Sequence, residues 1–173
     1  MSADIDAGSP VSSAGPTQVL RVTRSSAEET AGLRRSVLRP HQTIEQMAVD
    51  GDQNPETAYF AVRAPSGHGG LVGCLRLEPV RCPWPEALDG PAHAWQLRAM
   101  AADPAVRGAG IGRLLVEAAV DHVTQRGGDL IWCNARISAE GFYARLGFRT
   151  VTDRYVVPEV VEEHVGMALR VSS

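Results

Sequence analysis

The chain has 173 residues, 44% of them hydrophobic, which suits one domain with a buried core. Its seventeen Lys-plus-Arg positions are all Arg, and twenty acidic residues leave a net charge of −3. That balance, with no basic stripe, argues against a nucleic-acid partner, and no apolar run approaches the roughly 18–20 residues of a membrane span.

Residues 1–17 are rich in Ser, Gly, Pro and Ala, too poor in apolar surface to offset chain entropy, and read as a disordered tail before a domain at 18–173. The apolar stretch Val19 to Val22 predicts a first strand. Ser25 and Ser26 are candidate N-caps for a helix over Ala27–Leu38, and a second short helix is expected over Thr43–Val49. Ala58–Val62 and Leu71–Leu77 read as a hairpin around Pro65 to Gly70. A proline-rich loop, Pro79–Pro91, precedes a strand over Ala94–Ala102. Ile111, Leu114, Leu115, Ala118, Ala119, His122 and Val123 form one helical stripe, closed by Gly127 and Gly128. A short strand Leu130–Cys133 follows, then a helix with Ser138 as its N-cap running to Leu146, with strands near Phe148–Val151 and Val165–Val171. This order predicts an α/β (α+β) architecture, a mixed sheet with helices on both faces.

The chemistry is concentrated in Arg107-Gly108-Ala109-Gly110-Ile111-Gly112, between a strand and the strongest helix. Glycines let backbone N–H groups approach a ligand, and the helix N-terminus adds partial positive charge, so the segment suits a phosphate or pyrophosphate. A P-loop requires a Lys that this chain lacks, and the alternating glycines do not fit G-x-G-x-x-G. Three cysteines, Cys74, Cys82 and Cys133, show no metal-ligand spacing. With no basic, apolar leader at the N-terminus they point to the reducing cytoplasm, and no metal is expected.

Arg107-x-x-Gly110-x-Gly112 resembles the signature of the GNAT superfamily of acetyl-CoA-dependent N-acetyltransferases. Phe142-Tyr143-Ala144-Arg145-Leu146-Gly147-Phe148 is similar to its Phe-Tyr-x-x-x-Gly-Phe segment, and Met100 to Pro104 to the strand leading into its loop. The resemblance implies a mostly antiparallel central sheet, acetyl-CoA as co-substrate, and an amine acceptor on a small molecule or peptide. It implies that residues 107–112 hold the coenzyme A pyrophosphate. Met100 and Ala102 would offer backbone groups to the pantetheine arm, a backbone N–H of that strand would meet the thioester carbonyl, and Tyr143 would protonate the departing thiolate. A cofactor contact falls to Asn134 or to Arg136, which stands where many members have Asn. Self-association as a homodimer stays open.

Attack on a thioester needs a neutral amine. At pH 7 deprotonation costs roughly 4–5 kcal/mol for an amine of pKa about 10.4, and about 1 kcal/mol for one near 8. Glu78, at the end of a strand expected beside the central one, is the candidate base, with His93 and His164 as alternatives and His164 also a candidate substrate contact. Arg98 lies in an apolar strand, so it either pairs with an internal acid or faces the acceptor. Two rival readings are a catalytically silent acyl-CoA sensor and a nucleotide-phosphate binder.

Overall fold

The computed structural model describes residues 20–63, 70–90, 93–157 and 160–171. The expected tail at 1–17 and the turn at 64–69 lie outside them. Strand β1, Val22–Ser25, sits later than the apolar stretch suggested, because its register is set by β2, with Val22 opposite Val62 and Ser25 opposite Tyr59. The Ser26 side chain then accepts from the Glu29 amide at 3.1 Å and starts helix α1, Ala27–Leu38.

The expected second helix is only a single tight turn, Glu45–Met47. Reciprocal hydrogen bonds between Thr43 and Gln46 cap it at once, and Met47 pins it to the core. Strands β2 (Ala58–Arg63), β3 (Leu71–Glu78) and β4 (Ala94–Ala102) follow, then helix α2 (Ile111–Gln125). The last third holds β5 (Leu130–Arg136), α3 (Ile137–Arg145), β6 (Arg149–Thr150), β7 (Tyr155–Val157) and β8 (Val160–Arg170).

These strands form one mixed sheet in the order β1-β2-β3-β4-β5-β8-β6, with β7 paired to β8. Only β4 and β5 run parallel; every other pairing is antiparallel. Alternation along β3 puts the two long helices on opposite faces. Leu75 and Leu77 join Ile111, Leu115, Ala119 and Val123 of α2 in the main core, whereas Cys74 packs with Ala61 and Ala101 against Leu33 and Val37 of α1. Each such fully buried aliphatic contributes about 1.5–3 kcal/mol. Gly73 is required by this packing, since a Cβ there would run into the Ile111 side chain.

A bulge in β4 breaks the alternation. Cys74 opposes Ala101 and Arg76 opposes Arg98, so Leu75 faces two residues, and Ala99 takes φ +49°. Gln96 and Arg98 therefore share the α1 face with Ala101, three positions beyond Arg98.

Three further expectations are corrected. Strand β5 is longer than Leu130–Cys133, because β8 pairs with it as far as Arg136 opposite His164. Helix α3 starts at Ile137, with Arg136 in the capping position, and the Ser138 hydroxyl binds Glu162 instead of capping. The connection before Val165 contains β7 and the first half of β8, a hairpin of β-branched residues.

Candidate active site

The parallel pairing of β4 and β5 ends at Gln96 opposite Trp132, yet β4 continues to Ala102 and β5 to Arg136. Beyond that pair a cleft of about 1330 Å³ opens between the strands. Each strand keeps its outer partner, β3 or β8, so the edges facing the cleft are free to pair with an extended, amide-bearing chain. Met100 and Ala102 lie on this edge and line the cleft.

One end of the cleft is formed by the glycine-rich loop. The Asp103 carboxylate accepts from the Ala105 amide at 2.9 Å and fixes the turn Pro104–Val106. Gly108 and Gly110 adopt φ +84° and +78°, with nothing crowding a Cβ position at either, so what they supply is left-handed backbone. Gly110 occupies the N-cap of α2 and has no side chain to cap it, leaving the first N–H groups of the helix for an anion. The third glycine has a different reason: a Cβ on Gly112 would lie 2.8 Å from the Phe142 ring. Ile111 buries its side chain in the core and leaves only its backbone to the loop, while Arg107 and Ala109 are exposed.

Tyr143 lines the middle of the cleft and is 7% exposed, with its ring 5.2 Å from those of Phe142 and Phe148. Burial, with the Cys133 thiol nearby, pushes the phenol well above its ordinary value of 10, so it is a proton donor at neutral pH. Burial also pushes the Cys133 thiol up to about 12, which removes it as a nucleophile.

The remaining candidates lie on the opposite, α1-side face. Gln96 aligns with Trp132, so Arg98, Asn134, Arg136 and His164 share that face, while Cys133 packs on the other side with Tyr143. Asn134 is inside β5 and not at its end, and its Oδ1 accepts from the Tyr155 hydroxyl at 2.7 Å. Arg136 pairs with Glu162 at 3.6 Å. His164 is 6% exposed, lines the cleft, and has a buried Nδ1 without a partner among the described residues. His93 is exposed and held by Asp129 and Gly127, outside the cleft wall.

Glu78 is buried, and its Oε1 accepts from Arg76 and, at 3.4 Å, from Arg98. Arg98 thus pairs with an internal acid and also lines the cleft. The cluster around it was not foreseen. Arg76, 1% exposed, also reaches the Asp52 carboxylate at 3.2 Å and the Asp50 carbonyl at 3.1 Å, and Tyr59 donates to Asp52. Arg34 of α1 lies over the Tyr59 ring at 5.3 Å. The available signal was Arg76 itself, a charge in an apolar strand, the same anomaly that marked Arg98.

The acetyltransferase (GNAT) family model matches residues 26–148. The chain belongs to this family. It is 30% identical over 142 residues to the uncharacterized N-acetyltransferase YitI of Bacillus subtilis (strain 168), covering 82% of this chain and 91% of that one. The ribosomal-protein-S18-alanine N-acetyltransferase from Escherichia coli superposes with a TM-score of 0.66 at 21% identity, over 90% of this chain and 96% of its own. Arabidopsis thaliana NAA60, solved in complex with acetyl-CoA, gives 0.71 at 13% identity, over 88% and 99%. At those identities the two structures support the fold alone. GNAT acetyltransferases bind acetyl-CoA or coenzyme A and act on amine acceptors. No helix among the described residues is long and apolar enough to cross a membrane.

Proposed function

We propose that this protein transfers the acetyl group of acetyl-CoA to an amine of a small molecule or peptide by direct attack. The observation that carries the reading is the parting of β4 and β5 beyond Gln96 and Trp132, with the uncapped start of α2 at one end and Tyr143 in the middle. Arg107 and the backbone amides of Gly108, Ala109, Gly110, Ile111 and Gly112 would hold the diphosphate. Met100 and Ala102 would pair with the pantetheine amides. Bound there, acetyl-CoA supplies the activated acetyl carbon.

The chain's own residues do the rest. Backbone N–H groups of β4 past the Ala99 bulge donate to the acetyl carbonyl oxygen. The amine nitrogen bonds to the acetyl carbon as the C–S bond breaks, and Tyr143 gives its proton to sulfur. The proton shed by nitrogen replaces the one Tyr143 lost. Among the described residues no Asp or Glu lines the cleft, whereas arginines line it on several sides. Like charge lowers the pKa of a bound ammonium, which favours the neutral amine before attack. Glu78, engaged by two guanidiniums and off the cleft wall, is assigned to holding Arg98; His164, on the wall with a free Nδ1, is assigned to taking the proton of an amine that arrives charged.

Thiol release from acetyl-CoA, measured across a panel of small amines, amino acids and peptide N-termini, tests this reading. Release with at least one class is expected. Tight coenzyme A binding with no release on any amine would make the protein a binding module instead.

A further inference from the structure

The acceptor side of the cleft carries a positive excess whose chemistry names a substrate class. Three guanidiniums, those of Arg34, Arg76 and Arg98, converge on the α1 face of the sheet and all three line the cleft. Two carboxylates serve them. Asp52 pairs with Arg76, and Glu78 pairs with Arg76 through the same oxygen that Arg98 reaches at 3.4 Å. Tyr59 adds no charge, because burial and its hydrogen bond to Asp52 push its phenol up to about 12. Arg34 is 3% exposed and spends its terminal nitrogens on the carbonyls of Ala27 and Met47, and its Nε is buried without a partner among the described residues.

Arg98 differs from the other two. Its side chain is 48% exposed and only one of its nitrogens reaches the Glu78 oxygen that Arg76 also holds, so it is the guanidinium of the three with room to take an anion from the cleft. It stands one residue before the Ala99 bulge, where the β4 edge turns towards the cleft. Arg136, further along the same face, already has Glu162, and His164 faces it across the β5–β8 ladder. A cleft wall with buried guanidiniums and no acidic lining repels a second cation and gains from an anion that completes the pairing.

We infer that the acceptor is an amine bearing an anionic oxygen group, carboxylate or phosphate, close to its nitrogen, and that Arg98 is the residue that binds this group. The anion fixes the acceptor by charge-assisted hydrogen bonds and neutralises the guanidinium excess, whose field repels a molecule that brings only positive charge. Polyamines and other polycations are excluded by the same field. This inference rests on the transferase reading and narrows its acceptor.

The experiment is thermal denaturation of the full chain saturated with coenzyme A, titrated with matched pairs. Tyrosine is set against tyramine, histidine against histamine, lysine against cadaverine, and phosphoethanolamine against ethanolamine, with spermidine as the polycation. The rise in Tm on coenzyme A alone reports on the coenzyme A site independently of any acceptor, and thiol release from acetyl-CoA with the same compounds reports on the transferase reading. In at least one pair the anionic member is expected to bind about tenfold tighter than its neutralised or decarboxylated partner, as one charge-assisted contact supplies. The amino-acid pairs and the phosphate pair separate the two sources of the anion. Arg98→Gln should erase the preference and retain the rise on coenzyme A. A preference for the decarboxylated members, equal binding of both, binding of neither, or a preference unchanged in Arg98→Gln would overturn the inference.

Discussion

Gln96 of β4 and Trp132 of β5 are the last residues paired across the two parallel strands at the centre of the sheet. Past them β4 acquires its bulge at Ala99, the only residue other than glycine with positive φ among those described. The bulge and the parting of the strands go together: one extra residue on β4 keeps its ladder with β3 while its other edge turns away from β5.

Ala99 stores strain that can be measured. A left-handed alanine costs about 1 kcal/mol relative to glycine at the same φ. Ala99→Gly should therefore raise stability by about that amount in urea unfolding and leave coenzyme A binding intact. Ala99→Val, β-branched at +49°, should lose about 2 kcal/mol or more and weaken binding. Equal stability of the two variants would show that the bulge does not hold this dihedral in solution.

At the diphosphate end, Arg107→Glu should weaken coenzyme A binding by about 100-fold or more, because it replaces attraction by repulsion beside an uncapped helix start. Arg107 is exposed, so the unfolding midpoint without ligand should not move. Unaltered affinity by calorimetry would remove the loop from the binding site.

Tyr143→Phe separates a proton donor from a core aromatic. The ring contacts with Phe142 and Phe148 survive the change, so the fold and coenzyme A affinity should persist while kcat drops about 100-fold. Because the phenol is held well above 10, its ionisation should not limit the rate at any pH below 10. A near-wild-type kcat would return Tyr143 to a packing role.

Much of this layout is local and was legible. The stripe from Ile111 to Val123, the cap at Ser26 and the strand Ala94–Ala102 each carry their signal within a few residues. Register and ladder length are not local. The extension of β5 to Arg136 depends on β8 pairing from thirty or so positions away, and the placement of Asn134 on the α1-side face depends on Gln96 aligning with Trp132. The Arg34–Arg76–Asp52–Tyr59 cluster draws on α1, β3, β2 and the loop before it, so no single window of sequence contains it.

The cysteines bear on how turnover is measured. Burial pushes the Cys74 thiol up to about 11 and Cys133 up to about 12, and it raises Cys82 as well. In the native protein a thiol-reactive dye at pH 7.5 should find almost no protein thiolate, and three equivalents should appear on denaturation. Fast native labelling would mean that the fold opens locally at one of these sites. The chain also has no Lys, so an acetylated amine in an assay belongs to the acceptor or to the chain's N-terminus.

His122 should make the fold sensitive to mild acid. It lies edge-on to Phe60 at 5.4 Å and to Trp95 at 5.3 Å, and burial, then Arg24 and Arg126, push its pKa down to about 4. In the unfolded chain the imidazole titrates near 6.5. Between those values the unfolded chain holds a proton that the folded one refuses, so stability is complete above about pH 6.5 and declines as pH falls towards 4. The ring is partly exposed, and after allowance for solvent screening the loss is about 1–2 kcal/mol. Glu29, Glu45 and Glu162, whose carboxyl pKa values are lowered chiefly by hydrogen bonds, lose their contribution mainly below the ordinary carboxylate value of about 4.5 and leave most of this window to His122. Thermal melts from pH 7.5 to 4.5 should show Tm falling by several degrees, and His122→Phe, which keeps an aromatic ring between Phe60 and Trp95, should flatten that slope. An unchanged slope in His122→Phe would assign the acid sensitivity to another group.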